Sequence, residues 1–175
     1  MSTEVVYETH STSEDNEAGI ATGWLPGRLS AAGREQAREL GERWRDDGLA
    51  IVFTSDLGRA VETAELAFAG TAPPLVPDAR LRECNYGELN GTAEPLKDRT
   101  AHIDVPYPGG ESWRQAAERV AGFLEELLRE RDGERVLVIG HIATWLALEV
   151  VARGRELDEV MAEPFAWRPG WEYVL

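Results

Sequence analysis

The sequence predicts an α/β sandwich built on a mostly parallel β-sheet. Candidate strands and helices alternate along the 175 residues, which is the order typical of α/β proteins. Residues 135–140 form a continuous apolar run bounded by Gly133, and such a run indicates a strand buried on both faces of a parallel sheet. No Pro/Gly/Ser-rich linker divides the chain, so we expect residues 1–175 to form one domain.

Short β-type runs are the candidate strands of this sheet. They are residues 5–7, 50–53, 75–76 and 135–140. The C-terminal residues 165–175 predict two further short strands around Pro169 and Gly170, because Pro-Gly is a turn signal and aromatic residues flank it. We expect these two strands to form a sheet edge.

Four segments with helical periodicity or a strong apolar content are the candidate helices. They begin after Ser30, after Ser55 or Asp56, at Ser112 and just after His141. The first two end at Gly48 and Gly70, because glycine commonly ends helices. The third runs to about residue 131 with apolar side chains on one face. Residues 84–110 contain several Gly and Pro and are predicted to be irregular.

The composition limits the classes of function. The 32 acidic and 18 basic residues give a net charge of −14, and a surface that acidic repels nucleic acid and anionic membranes. The sequence contains neither a signal-peptide pattern nor an apolar run of about 20 residues. Cys84 is the only cysteine, which excludes an intrachain disulfide and a cysteine-based zinc site. We therefore expect a cytoplasmic protein that binds neither nucleic acid nor a membrane, and the composition leaves open whether it is a monomer or a homodimer.

Two of the three histidines follow candidate strands. Ligands of open α/β sheets bind outside the carboxyl ends of the strands, which is where His10 and His141 fall. Arg59 lies in the first turn of the second candidate helix, and a helix N-terminus beside an arginine favours an anion. Each feature alone fits a structural role, and their combination is what indicates a ligand pocket. His102, in a polar loop, is expected to be solvated.

Five motifs resemble those of the histidine phosphatase superfamily, the phosphoglycerate-mutase-like proteins. They follow the family's order and span nearly the whole chain. They are RLSAAGREQA at 28–37, SDLGRAVETA at 55–64, LRECNYGELNG at 81–91, PGGES at 108–112 and VLVIGH at 136–141. The resemblance implies a three-layer α/β/α sandwich with residues 84–110 as a cap or substrate loop over the site.

The first histidine motif departs from the RHG pattern of the family. Counting back without gaps from the 28–37 motif places Gly23-Trp24 on the family's Gly-Trp pair and Asn16 on its asparagine. The family histidine lies six residues before that asparagine, at His10. The triplet is therefore Thr9-His10-Ser11, and Thr9 replaces an arginine that clamps phosphate in the family. Ile20 replaces a second arginine common in the family.

The resemblance implies phosphoryl transfer without a metal or other cofactor. His10 would attack phosphorus and form a phosphohistidine. Glu83 would protonate the leaving oxygen and then activate water. Arg59 and His141 would stabilise the charge on the transferring phosphoryl group. The further candidate contacts to substrate are Thr9, Asn16, Trp24 and Arg82.

The missing arginine leaves three functions open, because losing one preorganised donor typically costs about 10²–10³ in rate. The first is a phosphomonoesterase for a small anionic substrate, with Arg28 or Arg82 as the substitute cation. The second is an isomerase or lyase that uses the two histidines and Glu83 as acids and bases. The third is a binding or regulatory relative with little catalysis. We favour the phosphatase, because the four candidate catalytic residues are all present.

A mutase is less favoured than a phosphatase. A mutase must hold a doubly phosphorylated intermediate, and residues 84–110 offer only Lys97, Arg99 and His102 as cations. Two tryptophans, Trp145 and Trp167, are expected in the core.

Overall fold

Five strands of the described chain form one mixed sheet. In the computed structural model, which describes residues 2–71 and 73–175, they are β1 (Glu4–Thr9), β2 (Ile51–Ser55), β3 (Leu75–Asp78), β4 (Arg135–Gly140) and β5 (Trp171–Val174). Their order is β3-β2-β4-β1-β5, and β5 alone is antiparallel to its neighbour. Five of the six residues of central β4 are buried, which explains its uninterrupted apolar sequence.

Six α-helices of the described chain cover the two faces of the sheet. They are α1 (Glu14–Ala18), α2 (Ala31–Trp44), α3 (Gly58–Phe68), α4 (Trp113–Glu130), α5 (Ile142–Arg153) and α6 (Leu157–Ala162). Side chains of α2 and α3 pack with Val6 and Leu137 on one face. Side chains of α4, α5 and α6 pack with Tyr7 and Val138 on the other. The predicted three-layer α/β/α sandwich is thereby confirmed.

The N-termini of the four predicted helices, α2 to α5, follow the sequence prediction except at α3. The Ser30 hydroxyl accepts the Gly33 N–H of α2 at 3.0 Å, and Ser112 forms a capping box at the start of α4. The prediction of Ser55 or Asp56 as the cap of α3 is wrong, since the N-cap is Leu57 and it has no side-chain cap bond. The Asp56 carboxylate instead binds an arginine guanidinium outside the helix.

The prediction of two C-terminal strands is wrong for the first of them. Residues 163–170 run from α6 to β5 without strand structure, and β5 occupies the free edge of β1. The Phe165 ring stacks on Trp171 at 5.5 Å and packs edge-on against Trp145 at 5.2 Å. The Arg168 guanidinium lies 5.1 Å above the Trp171 ring. These contacts hold the segment against α5 and β5.

Residues 84–110 are irregular, as predicted. They contain three short 3₁₀ helices, at 87–89, 94–96 and 100–102. In residues 2–71 and 73–175, no helix is long and apolar enough to cross a membrane.

Candidate active site

His10 and His141 lie side by side at the carboxyl edge of the sheet. They directly follow β1 and β4, which are parallel neighbours with Thr9 opposite Gly140. The His10 backbone N–H donates to the Gly140 carbonyl at 3.0 Å and so extends this ladder by one residue. The two imidazole centroids are 5.1 Å apart, with the ring planes tilted by 51°. Adjacent parallel strands therefore bring the two rings together.

The hydrogen bonding of His10 selects one tautomer. Its Nδ1 lies 2.7 Å from the carbonyl oxygen of Ser11, and a carbonyl oxygen only accepts, so Nδ1 carries the hydrogen. Burial, reinforced by the positive charge of Arg59, lowers the pKa of His10 from 6.5 to about 3. The ring is therefore neutral at neutral pH. Its Nε2 has an unshared electron pair, as a nucleophile requires.

His141 has the opposite tautomer. Arg59 Nη2 lies 3.4 Å from His141 Nδ1, and because a guanidinium only donates, Nδ1 accepts. Burial, together with Arg59 and His10, lowers the pKa of His141 well below 6.5, so its one hydrogen is on Nε2. That Nε2 is buried and has no hydrogen-bond partner among the residues the structure describes. Since buried polar atoms are normally paired, this N–H is a donor left for a ligand.

Arg59 is fixed before any ligand binds. Its side chain lies in the first turn of α3 and is 3% exposed. Nη2 donates to the Gly23 carbonyl and Nη1 to the Leu25 carbonyl, each at 2.9 Å. These two bonds set the plane of the guanidinium beside the histidine rings. A preorganised cation of this kind stabilises developing negative charge without reorganising.

The Glu83 side chain contacts the N-terminus of α5 from another segment of the chain. Its carboxyl group is buried, and Oε1 accepts the N–H groups of Cys84 and Ala143 at 3.0 and 3.1 Å. The Glu83 carbonyl accepts from Trp24 Nε1 at 2.7 Å and from Arg119 Nη2 at 3.1 Å. Contacts from three segments therefore position this residue.

These four side chains line one cavity of about 530 Å³. Its walls come from the residues after β1, one face of α2, the irregular residues 84–110 and the segment 163–170. Among the described residues, the charged groups of the lining are three guanidinium and three carboxyl groups, from Arg43, Arg59, Arg99, Glu8, Glu39 and Glu83. With both histidines neutral, the positive and negative charges of the described lining are equal in number.

The other predicted substrate contacts divide into two pairs. Thr9 and Asn16 line the cavity. The Asn16 side-chain oxygen is used in the capping box of α1, where it accepts the Ser13 N–H at 2.9 Å. Trp24 and Arg82 do not belong to the described lining. Trp24 bonds the backbone of Glu83 instead, and Arg82 stacks on the Trp24 ring at 4.7 Å.

The two arginines expected to replace the RHG arginine are engaged elsewhere. Arg28 is exposed and binds Glu14 at 2.6 Å, and Arg82 binds both carboxylate oxygens of Asp56 at 2.7 Å. Neither belongs to the described lining of the cavity. The expectation of Arg28 or Arg82 as substitute cation is therefore not supported by this arrangement.

The sequence prediction missed the contribution of Arg43 and undervalued that of Arg99. Both line the cavity, and Arg43 Nη2 lies 3.0 Å from an oxygen of Glu8, which is 1% exposed. On the sequence, Arg43 resembles any solvated arginine on the polar face of a helix. A glutamate inside a strand, two residues before a candidate nucleophile, was the available signal. In the described residues, no three His, Cys, Asp or Glu side chains are grouped as a metal site.

Comparison with known sequences matches this chain to one family. A sequence model of the histidine phosphatase superfamily (branch 1) matches residues 9–164. A 2,3-bisphosphoglycerate-dependent phosphoglycerate mutase of Methylobacterium sp. (strain 4-46) is 37% identical over 174 residues. That alignment covers 89% of this chain and 83% of the mutase.

Comparison with solved structures finds the same architecture. YhfR of Bacillus stearothermophilus is similar with a TM-score of 0.84 and 27% identity, covering 95% of this chain and 88% of YhfR. A mycobacterial glucosyl-3-phosphoglycerate phosphatase in complex with VO3 is similar with a TM-score of 0.80. Its identity is 23%, over 91% of this chain and 86% of the phosphatase, so this similarity concerns the fold alone.

Proposed function

The chain belongs to the histidine phosphatase superfamily, and from this we propose that it is a metal-independent phosphomonoesterase for a small phosphorylated metabolite. The single observation that carries the proposal is the pair of opposite tautomers. His10 presents an unshared pair on Nε2, and His141 presents a buried Nε2–H without a partner in the described chain. A phosphoryl group between them would meet a nucleophile on one side and a donor on the other.

The reaction takes place in two displacements. In the first, His10 Nε2 attacks phosphorus, the P–O bond to the alcohol breaks, and Glu83 gives its proton to the leaving oxygen. In the second, the Glu83 carboxylate takes a proton from water, the water oxygen attacks phosphorus, and the P–N bond breaks. His10 returns to its neutral form. Arg59 and His141 donate to the phosphoryl oxygens that carry the charge in both steps.

The arrangement of residues 84–110 supports hydrolysis rather than mutase chemistry. Lys97 pairs with Glu94 at 2.6 Å. His102 stacks on Tyr107 with ring centroids 3.9 Å apart. Of the three cations predicted for a second phosphate, Arg99 is the one in the cavity lining. We therefore treat this region as the cap of a phosphatase.

The test of the proposal is a panel of small phosphate esters with wild type, His10→Ala and His102→Ala. His102 lies outside the described lining of the cavity, so His102→Ala is the matched control. We expect His10→Ala to abolish release of phosphate and His102→Ala to retain it. Rapid quench of wild type should trap an acid-labile adduct of about 80 Da, one phosphoryl group, on His10.

Three outcomes would overturn the proposal. Turnover without an adduct, or with the adduct on His141, would refute the role of His10. Loss of activity on exhaustive chelation, restored by a divalent ion, would refute the metal-free mechanism. Conversion of 3-phosphoglycerate to 2-phosphoglycerate in the presence of 2,3-bisphosphoglycerate, without release of phosphate, would show a mutase.

A further inference from the structure

Exposed apolar side chains line the mouth of the cavity, whereas the buried part of the lining contains the polar side chains of His141, Arg59 and Glu83. Leu96 from the cap and Trp167 from segment 163–170 both line the cavity and are 54% and 60% exposed. Half-buried Ile20, Ile142 and Phe165 also contribute to the lining. All six tryptophans lie in the described chain, and Trp167 is the only one of them that is exposed, contrary to its expected place in the core.

The exposure of Trp167 does not come from a loose segment. Phe165, two residues before Trp167, and Arg168, the next residue, both contact the ring of Trp171, at 5.5 and 5.1 Å. Trp171 itself is buried and belongs to β5. Residues on both sides of Trp167 thus contact β5, and its indole lines the cavity. An exposed indole in the wall of a cavity is a suitable surface for binding an apolar group.

The charge balance of the cavity gives a second, independent reason for apolar binding. Three guanidinium groups face three carboxyl groups in the described lining, and one of the arginines, Arg43, is paired with buried Glu8. The guanidinium and carboxyl charges of the described lining are therefore equal in number, and they offer a phosphate monoester little attraction beyond the contacts of Arg59 and His141. Ligand pockets of this kind gain affinity from apolar and aromatic walls, and polar groups fix the orientation.

We infer that the substrate is the phosphate monoester of an alcohol that carries an apolar ring. The ring lies against Trp167 and Leu96, and the phosphoryl group lies at His10. This inference rests on the proposed function and specifies its substrate class. Arg99, also in the lining, presents a planar guanidinium that stacks favourably on an aromatic face.

The test compares 2-phenylethyl phosphate with glycerol 3-phosphate. Both leaving groups are primary alcohols, so a difference in kcat/KM reports binding of the alcohol part rather than leaving-group chemistry. We expect wild type to prefer the phenylethyl ester at least about tenfold, on the scale of one buried aromatic group. Trp167→Ala should lower this ratio about tenfold, mainly through KM, and Trp167→Phe should restore part of it.

The control is Val105→Ala, which removes an apolar side chain of the cap that is 61% exposed and outside the described lining. It should keep the wild-type ratio. An equal KM for the two esters in wild type, or a ratio unchanged in Trp167→Ala, would overturn the inference while leaving the phosphatase proposal intact. Titration calorimetry with 2-phenylethyl phosphate tests the opposite outcome, in which the ester binds but is not hydrolysed. If no ester is turned over, yet 2-phenylethyl phosphate binds and Trp167→Ala weakens that binding about tenfold, the phosphatase proposal fails, and Trp167 forms a binding site for an apolar ring rather than a substrate site.

Discussion

Glu83 is the proposed proton donor, and its carboxyl group is buried in the cavity that both histidines line. Glu83→Gln keeps an acceptor oxygen for the N–H groups of Cys84 and Ala143 but removes the acid. Hydrolysis of alkyl phosphates should slow by about 10²–10⁴, the usual contribution of a general acid. Aryl phosphates should slow much less, since an aryloxide leaves without a proton.

Steady-state kinetics on paired alkyl and aryl esters measure this difference. Glu39→Gln is the matched control, because Glu39 lines the same cavity but is exposed. It should leave both rates near the wild-type values. Equal losses on the two ester classes in Glu83→Gln would give Glu83 a role other than proton donor.

The motif spacing predicts that Thr9 places one neutral hydroxyl where the family has a guanidinium. Charge-assisted bidentate contacts are roughly twice as strong as neutral ones, so vanadate should bind this site weakly for the superfamily. Thr9→Arg should tighten vanadate binding by about 1–3 kcal/mol, the range for hydrogen bonds to charged groups. Titration calorimetry on wild type, Thr9→Arg and the neutral control Thr9→Gln measures the change.

The same variant separates the functions that the sequence leaves open. If the protein is a phosphatase that lacks one phosphate-binding arginine, the Thr9→Arg variant should turn over simple phosphate esters faster than wild type. A site adapted to another reaction should bind the anion more tightly but lose its native activity. Unchanged or weaker vanadate binding would show that another cation, Arg43 or Arg99, already fills the position.

Helix α2 and the loop after β1 meet at a glycine. A Cβ on Gly33 would lie 1.9 Å from the backbone carbonyl oxygen of Thr12, two residues after His10. Gly33→Ala therefore has to move the helix or the loop, which should destabilise the fold by about 1–3 kcal/mol and lower activity. Urea unfolding together with ester turnover measures both effects.

Gly122 in α4 is the control for this substitution. It is exposed and helical, and a Cβ at this position would meet no other segment of the described chain within 4 Å. Gly122→Ala should raise the free energy of unfolding by about 0.5–1 kcal/mol through helix propensity alone. If the two variants changed stability in the same direction, close packing at Gly33 would not be the cause.

The stability of the whole molecule should depend on the two cavity histidines, His10 and His141. The fold lowers the pKa of His10 from 6.5 to about 3 and lowers that of His141 well below 6.5. Below pH 6.5 the two histidines of the unfolded chain therefore bind protons, whereas those of the folded chain remain neutral. The free energy of unfolding should fall as the pH falls from 6.5 toward 3, by up to about 1.4 kcal/mol per pH unit for each histidine.

Urea unfolding at pH 7 and pH 5 measures this dependence. His10→Gln should lose less stability than wild type between the two pH values, because it lacks one of the two groups. His102→Gln, outside the described cavity lining, should follow wild type. Parallel pH dependence in wild type and His10→Gln would contradict neutral burial of His10.

The sandwich and the meeting of the four candidate catalytic residues could both be predicted from the sequence. Strand β4 is buried on both faces, so its apolar run shows in the sequence, and parallel neighbours place His10 and His141 at one edge. Short elements left no such pattern. Helix α1 has five residues and buries none of them, so no periodicity marks it.

Which other side chains reach the cavity, and which turn away, depends on the tertiary structure. A guanidinium from another segment makes Nδ1 of His141 an acceptor and so leaves the hydrogen on Nε2, which has no partner in the described chain. Trp24 and Arg82 support Glu83 from outside the lining. Trp167 lines the mouth because its neighbours pack on Trp171. Periodicity and motif spacing record the contacts an element makes along its own length. Contacts between segments far apart in the chain form only when the sheet assembles, and they leave no local pattern in the sequence.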